Sequence, residues 1–173
     1  MKLLPERLAA AASFVEKNSV IADVGCDHGL LPHYLLKEGI ADFAYLVDKN
    51  RGPLLRAGEN TEKYGLGRKC ALVLSDGLTG LPDHIEKEKV EAGFPDTVII
   101  TGMGGPLIKK IIDETPLMIK ENVRNWILSP QSLIDEFREE FNETGLRIVE
   151  EKEVREKRKS YVIFKAGRKD GIS

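Results

Sequence analysis

The sequence predicts a doubly wound α/β sheet, mostly parallel and closed by an antiparallel C-terminal hairpin, and three observations carry that prediction. Five short apolar, β-branched runs lack polar alternation, as strands covered by helices on both faces do. Helical patterns separate them. Two further runs near the C-terminus lie close together in sequence, joined by the charged stretch Glu150 to Lys159, and read as an antiparallel pair.

Taken in order, Leu4, Leu8, Ala11, Ala12 and Val15 share one face of an opening helix. The strand runs follow at Val20–Ala22, Phe43–Val47, Ala71–Leu74, Thr97–Ile100 and Trp126–Leu128. The closing pair is Leu146–Val149 and Tyr161–Phe164. Pro32, Pro53 and Pro106 each stand just after a turn, where the first helical N–H groups lack partners and a missing donor is tolerated. Gly65 and Gly145 stand where helices need a left-handed terminating residue. Ser132 or Asp135 is expected to open a helix carrying Leu133, Phe137 and Phe141.

Composition narrows the function classes. The 173 residues are 42% hydrophobic and 31% charged, with 26 Lys and Arg against 28 Asp and Glu. That excludes disorder, and no apolar run approaches the roughly 20 residues of a membrane span. Residues 1–173 are expected to form one domain and a monomer. Met1-Lys2-Leu3-Leu4 runs directly into Pro5-Glu6-Arg7, unlike a signal peptide, so a cytoplasmic protein is expected. Cys26 and Cys70 are too few for a zinc site or a disulfide framework. Near-zero charge excludes a bulk electrostatic nucleic-acid binder, so any RNA contact must be local.

Ligands of open parallel sheets bind beyond the carboxyl ends of the strands, so the residues that close each strand matter most. The first strand closes in Asp23-Val24-Gly25-Cys26-Asp27-His28-Gly29. Its Gly-x-x-x-Gly order departs from the Gly-x-Gly-x-x-Gly of a pyrophosphate cradle, and Asp27 within it would repel a diphosphate. The second strand ends at Asp48, 25 residues after Asp23, near the spacing at which a carboxylate accepts from ribose hydroxyls. Alone, Asp48 reads more readily as a solvated helix cap ahead of Arg51-Gly52-Pro53. The third strand ends in Ser75-Asp76-Gly77, again with an acid at its tip. Together the three carboxylates describe an adenosine-shaped site without a phosphate cradle. The fourth strand closes in Thr101-Gly102-Met103-Gly104-Gly105-Pro106, a backbone with almost no steric wall that a flat substrate can approach. The fifth ends in Ser129-Pro130-Gln131.

In order and spacing these motifs resemble the bacterial tRNA adenine-N1 methyltransferase family that modifies nucleotide 22, over nearly the whole chain. The resemblance implies a Rossmann-like class I methyltransferase fold, S-adenosyl-L-methionine as cofactor, and methyl transfer to N1 of an adenine in tRNA. It places Gly25 and Gly29 along the methionine end of the cofactor, with Asp27 near its charged amino group, and it counts Asp23 and Thr101 among the cofactor-binding residues. Asp48 would hold the ribose hydroxyls and Asp76 the adenine amino group, with Lys49, Ser75 and Gly77 counted among the cofactor-binding residues. Asp27, His28, Gly102, Met103 and Gly104 would face the target base. Either Asp27 or a backbone carbonyl of the Gly-rich turn would orient the exocyclic amino group. His28 would donate a hydrogen bond or brace the turn. The family's helical C-terminal extension has no counterpart before Ser173, so weak tRNA contact is expected.

Lys109 and Lys110, after the Gly-rich turn, are the expected phosphate contacts, ahead of the mixed-charge stretch from Glu150 to Lys159. His33 and His84 are expected to be structural or surface groups, Cys26 not to be a catalytic thiol, and Trp126 to be core. A small-molecule methyltransferase and a catalytically silent nucleotide- or RNA-binding module are the competing functions.

Overall fold

A computed structural model describes residues 3–169. Seven strands form one sheet in the order β3-β2-β1-β4-β5-β7-β6. These are β1 (Ser19–Val24), β2 (Ala41–Asp48), β3 (Cys70–Leu74), β4 (Thr97–Met103), β5 (Asn125–Pro130), β6 (Leu146–Glu156) and β7 (Lys159–Arg168). The first five are parallel, and β7 runs antiparallel to both β5 and β6. The helices are α1 (Glu6–Ala12), α2 (Leu30–Lys37), α3 (Arg51–Lys63), α4 (Leu81–Glu88), α5 (Gly105–Glu114), α6 (Leu117–Asn122) and α7 (Ile134–Glu140).

Side-chain alternation explains why the apolar runs show none of their own. Along β1, Ala22 and Val24 face one buried layer with Val98, Ile100, Trp126 and Leu128. Ile21 faces the other, with Ile99 and Ile127. Apolar residues of α4 to α7 cover the first layer, and those of α1, α2 and α3 cover the second. Both faces are dry, so both must be apolar.

The prolines stand where the sequence places them, Pro32 and Pro53 third in α2 and α3 and Pro106 second in α5. Gly65 and Gly145 take φ of 67° and 80°, the left-handed region that terminates a helical turn. Trp126 is fully buried. Three details differ from expectation. The charged stretch from Glu150 is strand as far as Glu156, and only Lys157-Arg158 turn, with Lys157 at φ 58°. Half-buried Lys152, Val154 and Glu156 alternate there with exposed neighbours, a period-2 pattern that the density of charge conceals. α7 begins at Ile134, because Leu133 precedes it in a left-handed conformation and is exposed. The six-residue α6 is too short to leave a periodic signal. No helix among the described residues is long and apolar enough to cross a membrane, and Gly171-Ile172-Ser173 lie outside them.

A cleft over the ends of the first and fourth strands

The register fixes the rim of the site. Val24 pairs with Val47 and with Ile100, so the turns after β1, β2 and β4 emerge side by side. Leu74 pairs with Asp48, which brings the turn after β3 alongside. The sequence-predicted residues therefore line one edge of the sheet.

Asp23 is 5% exposed, near the end of β1. Burial, reinforced by the charge of Asp48, raises its carboxyl to about 7, far above the ordinary carboxylate range. Asp48 is also buried; one of its oxygens, Oδ1, accepts the N–H of Asn50 at 2.9 Å and shapes its own turn. Lys49 beside it is exposed.

The turn after β1 is held by backbone. Gly25 and Cys26 N–H groups donate to the Val47 carbonyl at 2.8 and 3.1 Å, and Gly29 N–H donates to Cys26 O at 2.8 Å. Gly25, Asp27 and Gly29 all have positive φ, at 75°, 49° and 75°. A Cβ at Gly25 would strike the end of the Met103 side chain, so the β1 turn and the Gly-rich β4 turn are in direct contact. A Cβ at Gly29 would stand 2.5 Å from the His33 ring. Behind that glycine His33 is buried, its Nε2 2.8 Å from the Thr61 hydroxyl. That hydroxyl donates to Ala57 O at 3.0 Å, so the proton between them is assigned to His33 Nε2, and burial lowers the ring's pKa to about 4 and keeps it neutral. His33 thus ties α2 to α3 through Thr61, and it also reaches the lining of the cleft. Cys26 is buried too, and burial pushes its thiol upward, away from a nucleophilic thiolate.

Asp27 and His28 project outward, their side chains 69% and 54% exposed and 3.6 Å apart. The Asn60 amide donates to the His28 carbonyl at 2.9 Å and ties α3 to this turn.

Beyond β3 the turn is largely self-contained. Ser75 Oγ accepts the Gly80 N–H at 2.9 Å, and the Asp76 carbonyl accepts the Thr79 hydroxyl. Gly77 sits at φ 60° against Ile111, while the Asp76 side chain is exposed at the tip. In the β4 turn, Met103 O accepts the Gln131 N–H at 2.8 Å, and Gly104 O accepts the Ile108 N–H at 3.1 Å. Gly102 is the exposed residue there, at φ 80°.

A cleft of about 1010 Å³ opens over this edge. Asp23, Gly25, Asp27, His28, Thr101 and Gly102 line it, joining the β1 and β4 turns as the sequence predicts. Asp48, Lys49, Ser75, Asp76 and Gly77 lie outside its lining, at the tips of β2 and β3, as do Gly29, Met103 and Gly104. The sequence reading missed the outer walls, which are Pro5, Arg7 and Leu8 from the α1 end and Asn60, Lys63 and Tyr64 from the α3 end. No local motif marks them. A cation pair is the only available signal, since Arg7 and Lys63 fall on elements flanking the glycine turn. The expected phosphate contact Lys109 is instead engaged by Asp113 at 3.1 Å and Glu143 at 3.3 Å, and Lys110 lies 3.9 Å from Glu114.

The sequence pattern of a methyltransferase domain matches residues 4–164. A tRNA (adenine(22)-N(1))-methyltransferase of Bacillus subtilis is 31% identical over 147 residues, covering 77% of this chain. The chain spans 58% of that relative's length. A putative tRNA (m1A22) methyltransferase of Streptococcus pneumoniae, solved in complex with S-adenosyl-L-methionine, superposes with a TM-score of 0.85 at 31% identity, over 96% of this chain and 73% of the other. M. capricolum TrmK, solved with S-adenosyl-homocysteine, gives a TM-score of 0.81 at 27% identity, over 99% and 73%.

Proposed function

The chain belongs to the methyltransferase-domain family, and from that premise we propose that it methylates N1 of adenine 22 in tRNA with S-adenosyl-L-methionine as donor. The single observation that carries this reading is the arrangement of carboxylates at the tips of three adjacent parallel strands, Asp23, Asp48 and Asp76, beside an open cleft and with no phosphate cradle among them.

That set fits an adenosyl cofactor bearing a cationic methionine end. Asp48, with one oxygen on Asn50 and one left over, serves the ribose hydroxyls. Asp76 serves the adenine amino group. Ser75 and Gly77 shape the turn that presents Asp76, and Lys49 borders the ribose side. Asp23, Gly25, Asp27, Gly29 and Thr101 surround the methionine end. When bound, the cofactor supplies an electrophilic methyl group on sulfur and leaves as a neutral thioether.

Adenine N1 already carries a lone pair, so the chain needs no general base and its task is alignment. Asp27 is the residue we assign to the exocyclic amino group, because its carboxylate is exposed toward the cleft while the Met103 and Gly104 carbonyls are each already bonded within the fold. Methylation at N1 leaves the base cationic, and a carboxylate at this place also stabilises that charge as it develops. His28 braces: its carbonyl is fixed by Asn60, and its imidazole stands beside Asp27. Gly102 leaves room for the plane of the base.

Incubation of the protein with labelled S-adenosyl-L-methionine and unmodified tRNA tests the reading. Transfer of label to tRNA supports it. Transfer only to small metabolites supports the small-molecule alternative, and cofactor binding without turnover supports a silent binding module.

A further inference from the structure

We infer that the cleft seats the RNA strand carrying the target adenine, with Lys63 and Arg7 each meeting a backbone phosphate on either side of that nucleotide. This rests on the function proposed above and names the chain's own RNA contacts.

Four observations carry it. The first is space. The residues assigned to adenosine lie outside the cleft's lining, so its roughly 1010 Å³ is left for the second substrate and the methionine end of the first. A volume at the upper end of small-molecule pockets admits a nucleotide. The second is the distribution of charge. Among the lining residues the carboxylates belong to the β1 end, in Asp23 and Asp27, and the lysine and arginine belong to the flanking helices. Such a layout repels phosphate from the exposed Asp27 and attracts it to the flanking helices, so a nucleotide enters with its uncharged base first.

The third observation is availability. Lys63 is exposed and makes no ion pair among the described residues, whereas Lys109 is held between two carboxylates and Lys110 stands near one. The fourth is preorganisation. Lys63 lies three residues beyond Asn60, on the same helix face, and Asn60 is bonded to His28 at the mouth of the cleft. Arg7 is ion-paired with Glu156, but through one terminal nitrogen only, at 2.8 Å, and the Tyr161 ring lies 5.6 Å from its guanidinium carbon. A guanidinium carries five N–H donors, so that pairing leaves donors for a phosphate.

The test is direct binding of unmodified tRNA by fluorescence polarisation across a salt series, with S-adenosyl-L-methionine affinity measured in parallel by calorimetry. Each phosphate contact contributes close to one unit to the slope of log affinity against log salt. For Lys63→Gln we expect a slope shallower by about one, a Kd for tRNA raised about 3- to 10-fold at low salt, unchanged cofactor affinity, and recovery in Lys63→Arg. Lys110→Gln should leave the slope where it was. Because Arg7 also pins α1, Arg7→Gln, which should make the slope shallower by about one, is paired with Arg7→Lys, which keeps the charge and should restore it; an unchanged slope in Arg7→Gln removes Arg7 from the phosphate contacts. An unchanged slope and Kd in Lys63→Gln overturns the inference, as does a slope that moves with Lys110 and not with Lys63. Failure of the underlying reading looks different: the wild type binds tRNA with the Lys63-dependent slope and transfers no methyl group to adenine 22.

Discussion

Asp23 joins burial and charge in one side chain at the cleft. Its carboxyl is raised from 3.8 to about 7, by desolvation first and by Asp48 second. In the unfolded chain it loses its proton near pH 4, while in the folded chain it keeps it to about pH 7. Between those values the folded state binds more protons, so rising pH withdraws stability, and above about pH 7 the loss is complete. Asp23→Asn should therefore stabilise the ligand-free protein at pH 8, by at most about 4 kcal/mol, and hardly at all at pH 4. Thermal unfolding of both proteins at the two pH values checks this; a gain equal at both would contradict the assigned shift. For Asp48 the proposed role is cofactor binding. Asp48→Ala should weaken S-adenosyl-L-methionine binding by about 1–3 kcal/mol, the scale of hydrogen bonds lost to a charged group, and unchanged calorimetric affinity would remove it from the ribose site.

At the scale of elements, the turn after β1 is the part with least tolerance. Gly29 combines a φ of 75° with a His33 ring that leaves no room for a methyl group. Gly29→Ala should cost about 1–2 kcal/mol from the left-handed backbone alone and displace His33 from Thr61. For a chain of this size that lowers Tm by several degrees, together with loss of cofactor affinity. A variant that melts and binds as the wild type does would show that the turn is not held as described. Gly25 differs, since the atom in its way is the flexible end of Met103, and Gly25→Ala should act more through the contact between the two glycine turns. The β6–β7 hairpin shows what sequence reading cannot reach at this scale. Lys152, Val154 and Glu156 alternate in burial, but every residue from Glu150 to Glu156 except Val154 is charged, so hydropathy carries no period. Arg7–Glu156 and Lys152–Ser13 then fasten the hairpin to α1 across more than 130 residues of sequence.

For the whole molecule, the runs at Val20–Ala22, Phe43–Val47 and Thr97–Ile100 revealed their strands because helices cover both faces and exclude polar side chains from either. The grouping of residues at their tips was legible for a related reason: in a parallel sheet the acids and glycines that end consecutive strands stand far apart in sequence and side by side in space. Pro5, Arg7, Asn60, Lys63 and Tyr64 escaped notice because nothing local distinguishes a cleft wall from an ordinary helix face. Their relation to Asp27 exists only once α1 and α3 pack beside α2. Lys109, well placed after a glycine turn, is occupied for a separate reason: Asp113 stands one turn further along α5, and the turn after α7 brings Glu143 beside it.

The central claim is that this edge of the sheet delivers a methyl group to the pairing face of one adenine. Mapping the modified nucleotide after reaction with unmodified tRNA tests it most directly, because a methyl on N1 blocks base pairing and arrests reverse transcription at that position. The arrest should fall at adenine 22 and disappear when that adenine is replaced by guanine. Label that persists in the replaced tRNA, or an arrest at another nucleotide, would contradict the account.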